Sequence, residues 1–438
     1  MTAPAATPGT LSPARAAFTR RWTPRLVAFG EFIDGYDLLV MGAALLFLKP
    51  AFHLTAAQTG WLGAISFIGA AIGLVVFGDL SDRFGRKVIF MVNLAFFVVA
   101  SIVSAFVANV PELMAARFVI GVAVGMDIPT SHSFLAEISP SARRGRVAGS
   151  LPNVMWLVGA IASVLLAIGV RPLAGDATWR WLFGLAAIPA LAVLIARQFL
   201  PESPRWLRAH GQQEKAREVF SALGVAEPEP AAEPARRYRD LLDRGTGIRL
   251  LAVTGFFALQ SFGGAVATIS GPLVLSSTGL GTSFSLYFSL AGFIGGLIAV
   301  LVGAMIIDRV NRRKMGGWSC FAVFLAGIGM AVSGKHSVAL LAFYVAFSML
   351  TWFGPGVLSW VWSAEMFPTR VRALGEGISQ SVTRLAIALN VGLVPTLLGL
   401  FGTRAILIYA CAYLACVLIV LAAPFFDTGG RELEQVSR

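Results

Sequence analysis

Long apolar stretches alternate with short polar turns along almost the whole chain. The apolar runs fall at roughly 26–48, 57–78, 88–108, 112–136, 147–170, 179–200, 248–276, 283–307, 316–333, 337–363, 374–400 and 404–425. Each is close to the ~20 residues that cross a bilayer core as a helix. Backbone polar groups in lipid must pair within their own segment, so the twelve runs predict twelve transmembrane helices. The one long polar interruption, 201–247, divides them into two sets of six. Within it Trp206, Leu207, Val219, Phe220 and Leu223 form an apolar stripe that predicts a short surface helix. Pro228, Pro230 and Pro234 then break the pattern.

The polar turns repeat. Gly78 to Lys87 contains Asp82-Arg83, and about half a chain later Asp308-Arg309 opens a second basic turn ending at Lys314. Glu137-Ile138-Ser139-Pro140 with Arg143 is matched, at nearly the same offset, by Glu365-Met366-Phe367-Pro368 with Arg370. Two such matches predict pseudo-symmetric six-helix halves, an arrangement of transporters that bind substrate between the halves. The expected division is a tail at 1–24, a first half at 25–200, a linker at 201–247, a second half at 248–426 and a tail at 427–438. The 1–24 segment lacks the apolar core of a signal peptide and reads as a mobile tail.

Composition sharpens the class. Of 438 residues, 57% are hydrophobic and 13% charged, far from the ~25% charged content of soluble domains. The net charge of +12 could suggest nucleic acid, but the cations sit in short turns on one side of the spans. That asymmetry predicts cytoplasmic termini, a multi-pass protein of the cell (inner or plasma) membrane, and no nucleic-acid partner. No phosphate loop, metal-ligand cluster or nucleophile constellation is evident, which argues against an enzyme or a nucleotide-driven pump.

Five features together resemble the major facilitator superfamily, in the branch of sugar porters and related metabolite:proton symporters. They are Gly78–Lys87, Arg117-Phe-Val-Ile-Gly121, Glu137–Arg146, the heptapeptide Pro201-Glu-Ser-Pro-Arg-Trp-Leu207 and Glu365-Met-Phe-Pro-Thr-Arg370. The chain departs from the family after span twelve, where Phe426-Asp427-Thr428 replaces a Pro-Glu-Thr-Lys-Gly run. Phe32-Ile-Asp34-Gly-Tyr36-Asp37 and Gly125-Met-Asp127-Ile-Pro129 are more similar to organic-acid and aromatic-acid symporters.

Ionisable residues inside spans are costly and mark function. Asp34 and Asp37 share a helix face. A rise of 1.5 Å per residue puts Asp37 about 18 Å from one membrane face and Arg117 about 8 Å from the other, so across a core of about 30 Å the two can meet. Burial opposes the charge on Asp37 and a guanidinium supports it, so the carboxyl can take up and release a proton. The resemblance implies the same coupling role for this pair. Asp34 is a further proton or substrate contact. Asp127, at a similar depth, is a candidate substrate contact with Tyr36, whereas Glu31 reads as lying near the cytoplasmic mouth and His132 as a packed histidine. In the second half, Arg384 suits a substrate carboxylate. Gln260, Asn390 and Trp360, with Trp352 and Trp362, suit hydroxyls and rings. The resemblance places Trp360 as a substrate-stacking tryptophan. Asp82, Arg83, Arg86, Glu137, Arg146, Asp308, Arg309, Glu365 and Arg370 are expected to form a cytoplasmic gate of ion pairs across the halves.

The expected function is proton-coupled import of a small polar metabolite by alternating access, an organic, aromatic or sugar acid before a neutral sugar. A facilitative or proton-coupled sugar carrier and proton-driven efflux of a drug-like compound are the alternatives. No metal and no cofactor beyond the proton is expected. The expected partners are a small-molecule substrate and the bilayer, with the monomer as the working unit.

Overall fold

A computed structural model describes residues 13–138, 151–225, 227, 243–307, 309–333, 338–367 and 371–428. Among them the chain is helical throughout. The first half comprises α1 (Pro13–Ala51), α2 (Ala56–Phe84), α3 (Arg86–Phe106), α4 (Val110–Ile138), α5 (Leu151–Ala174) and α6 (Thr178–Arg197). Two short helices follow, α7 (Pro204–Ala209) and α8 (Gln213–Leu223). The second half holds α9 (Arg244–Gly264), α10 (Gly271–Ser277), α11 (Thr282–Ile306), α12 (Arg312–Val332), α13 (Val338–Thr351), α14 (Val357–Glu365), α15 (Arg372–Phe401) and α16 (Ile406–Ala422).

These helices make twelve spans, with two differences from the apolar pattern. Span seven is broken between α9 and α10, and span ten passes through a π-helix, Trp352–Gly356, between α13 and α14. Gly263-Gly264, Gly271-Pro272 and Gly354-Pro355-Gly356 supply the weak points. Hydropathy conceals them because membrane helices tolerate Gly and Pro when neighbours satisfy the freed backbone. The expected tail also ends early: the chain is already helical from Pro13 and runs unbroken into span one. Asp427 and Thr428 are likewise bound to the fold rather than to a tail. Asn311 Nδ2 donates to Asp427 Oδ1 at 2.9 Å, and Arg312 Nη1 donates to Thr428 Oγ1 at 3.0 Å.

The linker packs as an element of the first half. Ser203 caps α7, its hydroxyl accepting from Trp206 N at 3.1 Å, with Pro204 in the first turn. Leu207, Val219 and Leu223 bury against Val27, Phe90, Phe134 and Leu200, so the expected apolar stripe is present but split between two helices. Glu202 ties this segment to the first basic turn by accepting from Arg86 N at 2.8 Å and Lys87 N at 3.2 Å. The carboxylate thereby caps the amino end of α3 beside Gly85, whose φ of 97° favours glycine. In the second half the Asp427 carboxylate accepts from Asn311, the residue that caps α12 after the second basic turn.

Within the first half, one buried polar network joins four helices. Arg197 Nη1 donates to Asp127 Oδ1 at 2.9 Å, its Nη2 to Val27 O at 3.0 Å, and its Nε to Leu26 O at 3.2 Å. Asn93 Nδ2 and Ser131 Oγ complete the Asp127 shell at 2.6 and 2.8 Å. The guanidinium also lies over the Phe90 ring, 4.3 Å from its centre. Between α1 and α5 the packing is backbone to backbone: a Cβ on Gly35 would strike the Trp156 carbonyl, and one on Gly159 the Phe32 carbonyl.

The halves meet closely at the end of the molecule opposite the termini. There a Cβ on Gly60 would strike the Gly392 carbonyl, one on Gly42 the Ile269 carbonyl, and Arg171 donates to Ser283. A central cavity lies between the halves.

Two predictions follow from this division. Asp127→Ala leaves Arg197 charged, buried and unpaired, and should lower stability by about 3–5 kcal/mol, read as a large fall in detergent melting temperature; a melting curve like wild type would refute the network's role. Gly60→Val clashes only where the halves close, so it should suppress transport while leaving each half folded. Gly159→Val clashes inside one half and should cost about 1–3 kcal/mol of stability. Equal melting losses for the two valine variants would contradict this assignment.

Candidate functional site

The central cavity lies between the halves and is walled by both. The first half contributes Glu31 from α1, Ile128 and His132 from α4, and Pro152, Asn153 and Trp156 from α5. The second contributes Phe257, Gln260 and Ser261 from α9, Thr268 from the break after it, Thr351 and Trp352, Trp360 from α14, and Gln380, Thr383 and Arg384 from α15. The breaks in spans seven and ten thus occur where the wall needs irregular backbone, as in other transporters. Trp156 and Trp352 meet across the halves with ring centres 5.5 Å apart, and His132 stacks on Trp360 at 5.0 Å and 25°.

Of the residues expected to bind substrate, Arg384, Gln260 and Trp360 line this cavity. Three others face elsewhere. Tyr36 turns its hydroxyl to the Leu182 carbonyl at 2.8 Å and is buried within the first half. Asn390 donates to the Phe262 carbonyl at 2.5 Å, bracing α15 on α9. Asp127 is committed to Arg197, Asn93 and Ser131. Trp362 is fully buried and donates to Phe426 O at 3.1 Å, as a packing residue. Glu31 and His132, neither expected to contact substrate, also line this cavity. His132 does sit off the face of Asp127; that other face is the one turned to the cavity.

Asp37 and Arg117 meet as the depth estimate requires. Arg117 Nη1 is 3.4 Å from Asp37 Oδ1, and its Nη2 donates to the Asp37 main-chain oxygen at 2.5 Å. Both side chains are essentially inaccessible, and the guanidinium lies 5.0 Å from the Phe183 ring centre. Asp37 Oδ2 accepts no hydrogen bond among the described residues. The pair is therefore sealed inside the first half, behind the cavity wall. Asp34, one turn earlier, is also buried, and its Oδ2 is likewise unbonded among the described residues. Its electrostatic neighbours are Glu31, Asp127, Arg197 and Arg384. Of the three acids near one depth, Asp127 is bound by Arg197 and Glu31 faces His132, while Asp34 makes no ion pair among the described residues and lies in the field of Arg197 and Arg384.

Part of the expected gate is visible. Glu365 is bound within its own half, by Arg312 at 2.5 Å, the one ion pair it makes among the described residues. Arg86 Nη1 donates to Ser81 O at 3.0 Å in the same turn, and Arg83 and Arg309 are exposed. The side chains of Asp82 and Glu137, with Arg146, Asp308 and Arg370, lie outside the described residues. Arg197, Asn153, Trp156, Gln380 and Thr383 were not anticipated. A signal existed for Arg197, a guanidinium in the last turn of an apolar run, but it is indistinguishable from an ordinary cytoplasmic flanking charge. No group of three or more His, Cys, Asp or Glu among the described residues could hold a metal.

Comparison with known proteins agrees with this architecture. A family model described as "Sugar (and other) transporter" matches residues 25–438. The chain is 31% identical over 423 residues to a protein of Escherichia coli K12 named as a metabolite transport protein, YaaU, covering 93% of this chain and 92% of that one. It is 30% identical over 434 residues to the D-xylose transporter of Levilactobacillus brevis, covering 93% of each. In fold it is similar to the xylose transporter XylE from E. coli in a partially occluded inward-open conformation, with a TM-score of 0.80, 21% identity, and coverage of 95% of this chain and 99% of that one. Two halves of six spans, a polar cavity between them and a family match over nearly the whole length have one reading: the chain has the fold of the major facilitator transporters, belongs to the sugar (and other) transporter family and is a multi-pass membrane transporter, not an enzyme.

Proposed function

We propose that this protein is a proton-coupled sugar transporter, importing its substrate by alternating access. The observation that carries the reading is the chemistry of the cavity wall. Three indoles, Trp156, Trp352 and Trp360, converge with three amides, Asn153, Gln260 and Gln380, and with the hydroxyls of Ser261, Thr268, Thr351 and Thr383. Amides and hydroxyls pair with a polyol, and indole faces cover the apolar face of a sugar ring. The acid substrate anticipated from Arg384 fits less well. Glu31 shares the cavity with Arg384, and Glu31 and Asp34 both lie within its electrostatic reach, so the guanidinium already stands in the field of the protein's own carboxylates. The names of relatives point the same way: one is the D-xylose transporter already noted, another the glucose transporter GlcP of Staphylococcus epidermidis.

In this reading Asp37 carries the coupled proton and Arg117 tunes it, with Asp34 as a second carboxyl on the same helix face. The unbonded Oδ2 of Asp37 is where the proton would sit. A neutral Asp37 loosens the pair, and re-ionisation restores it, so proton binding is linked to how α1 sits on α4. The close glycine contacts between the halves at the end opposite the termini, with the basic turns in the cytoplasm, support an inward-facing, partly occluded state of a cell-membrane protein. The basic turns and Glu365 would bias the equilibrium between inward-facing and outward-facing states, and the monomer holds a complete pathway.

Asp37→Asn should abolish proton-driven accumulation in vesicles while sparing sugar counterflow; accumulation at the wild-type level would sink the coupling role. For the substrate, purified protein screened by thermal shift against neutral sugars, sugar acids and aromatic acids at two pH values should be stabilised by a neutral sugar. Gln260→Ala and Trp360→Ala should each weaken that sugar about tenfold, the equivalent of one or two lost contacts at ~1 kcal/mol each. Stabilisation by carboxylates alone would overturn the sugar reading.

A further inference from the structure

One group of cavity residues has no part in coupling through Asp37. Glu31 and His132 face each other in the wall, with Nε2 and Oε1 3.4 Å apart, a distance of an ion pair that is loose for a hydrogen bond. His132 keeps 21% of its side chain accessible, whereas the Asp37 and Arg117 side chains keep 1% and 0%. The two centres therefore differ in access: one is sealed, the other opens on the substrate path.

The imidazole also touches the other half, through its stack on Trp360. The ionisable groups facing the pair come from several helices. Glu31 and Asp34 lie on α1; Asp127 lies on α4 and is bound by Arg197 of α6; Glu376 and Arg384 lie on α15. Asn153 from α5 and Gln260 from α9 add neutral groups. A proton on the imidazole strengthens two contacts at once, the ion pair with Glu31 and the cation–π contact with Trp360, and adds a longer-range attraction to Glu376. The Trp360 contact crosses between the halves.

We propose that Glu31 and His132 are a second proton-binding site, open to the substrate cavity, whose proton draws the two halves together at Trp360 and closes the cavity over bound substrate. The proton comes from water in the cavity, resides on the imidazole as an imidazolium paired with Glu31, and returns to water when the halves part. Closure over sugar rests on the transport reading above. Proton binding at the Trp360 stack does not, so the two can be tested apart.

The test is a tryptophan-fluorescence titration of the full-length protein in nanodiscs, from about pH 5 to pH 8.5, the range in which histidine charges. A protonated imidazole stacked on an indole quenches it. Wild type should show a reversible change in emission that disappears in both His132→Gln and Trp360→Phe and is displaced along the pH axis in Glu31→Gln. Each variant is first shown to be monodisperse and folded by gel filtration and melting. No transition in wild type, or the same transition in His132→Gln, would overturn the site. In a second arm, sugar counterflow is measured across the same pH range. His132→Gln should flatten the pH dependence of exchange several-fold; an unaltered profile in His132→Gln refutes the closing role. A Trp360-dependent titration in protein that binds no sugar upholds this site and overturns the sugar reading, while sugar binding with no such titration does the reverse.

Discussion

A charge placed inside a bilayer must find a partner or be neutralised, and the first half is built around that requirement. Three carboxylates of α1, Glu31, Asp34 and Asp37, recur every three residues on one face of the helix, and each faces basic side chains from a different direction. Arg117 reaches Asp37 from α4, His132 faces Glu31 about four turns further along the same helix, and the fields of Arg197 and Arg384 fall on Asp34. Arg197 closes the set from α6 by binding Asp127 and the main chain of α1 together. The charges therefore determine how α1 sits against α4 and α6. Changing the ionisation of one acid changes the seating of that helix, which makes a packed first half responsive to protons at all.

The second half meets a different constraint. It presents most of the hydrogen-bonding wall, and it does so by giving up regular helix at Ala265–Ser270 and at the π-helical Trp352–Gly356. These breaks turn Thr268 and Trp352 toward the cavity. The halves are thus unlike in mechanism despite their shared topology: one carries interlocked charge, the other a polar surface shaped by Gly and Pro. Their contact at the far end relies on glycines, Gly42 and Gly60 against the main chain of the other half. Close backbone contacts of this kind, with few side chains to unlock, can separate and re-form as rigid bodies, which suits alternating access.

Much of this was legible in the sequence for definite reasons. Length and hydropathy place twelve spans because lipid leaves the backbone few options. Depth arithmetic brings Asp37 to Arg117 because a helix has a fixed rise. Arg384, Gln260 and Trp360 stand out as polar or amphipathic positions in apolar runs. Direction was harder to read. Asn390 is as polar as Gln260, yet it answers the Phe262 carbonyl, and Tyr36 answers Leu182. Whether a buried polar group serves the substrate or a neighbouring backbone depends on contacts between helices far apart in sequence, which no local pattern encodes. His132 shows the converse: helical phase correctly separated it from Asp127, but phase alone does not say which of two faces is core and which is cavity.

The different accessibility of the two titratable centres has a mechanical consequence. A sealed carboxyl such as Asp37 can exchange its proton only when the packing around α1 and α4 loosens, so its occupancy reports the state of the first half. A wall group such as His132 exchanges whenever the cavity holds water, so its occupancy reports local pH and the presence of substrate. If both act as proposed, the proton at His132 brings the halves together first, and that closure alters the surroundings of Asp34 through Arg384 of the opposite half. Asp34 lies one helical turn from Asp37. Closure at the wall would then reach the sealed pair through a single turn of α1, with no longer path required between substrate and coupling site.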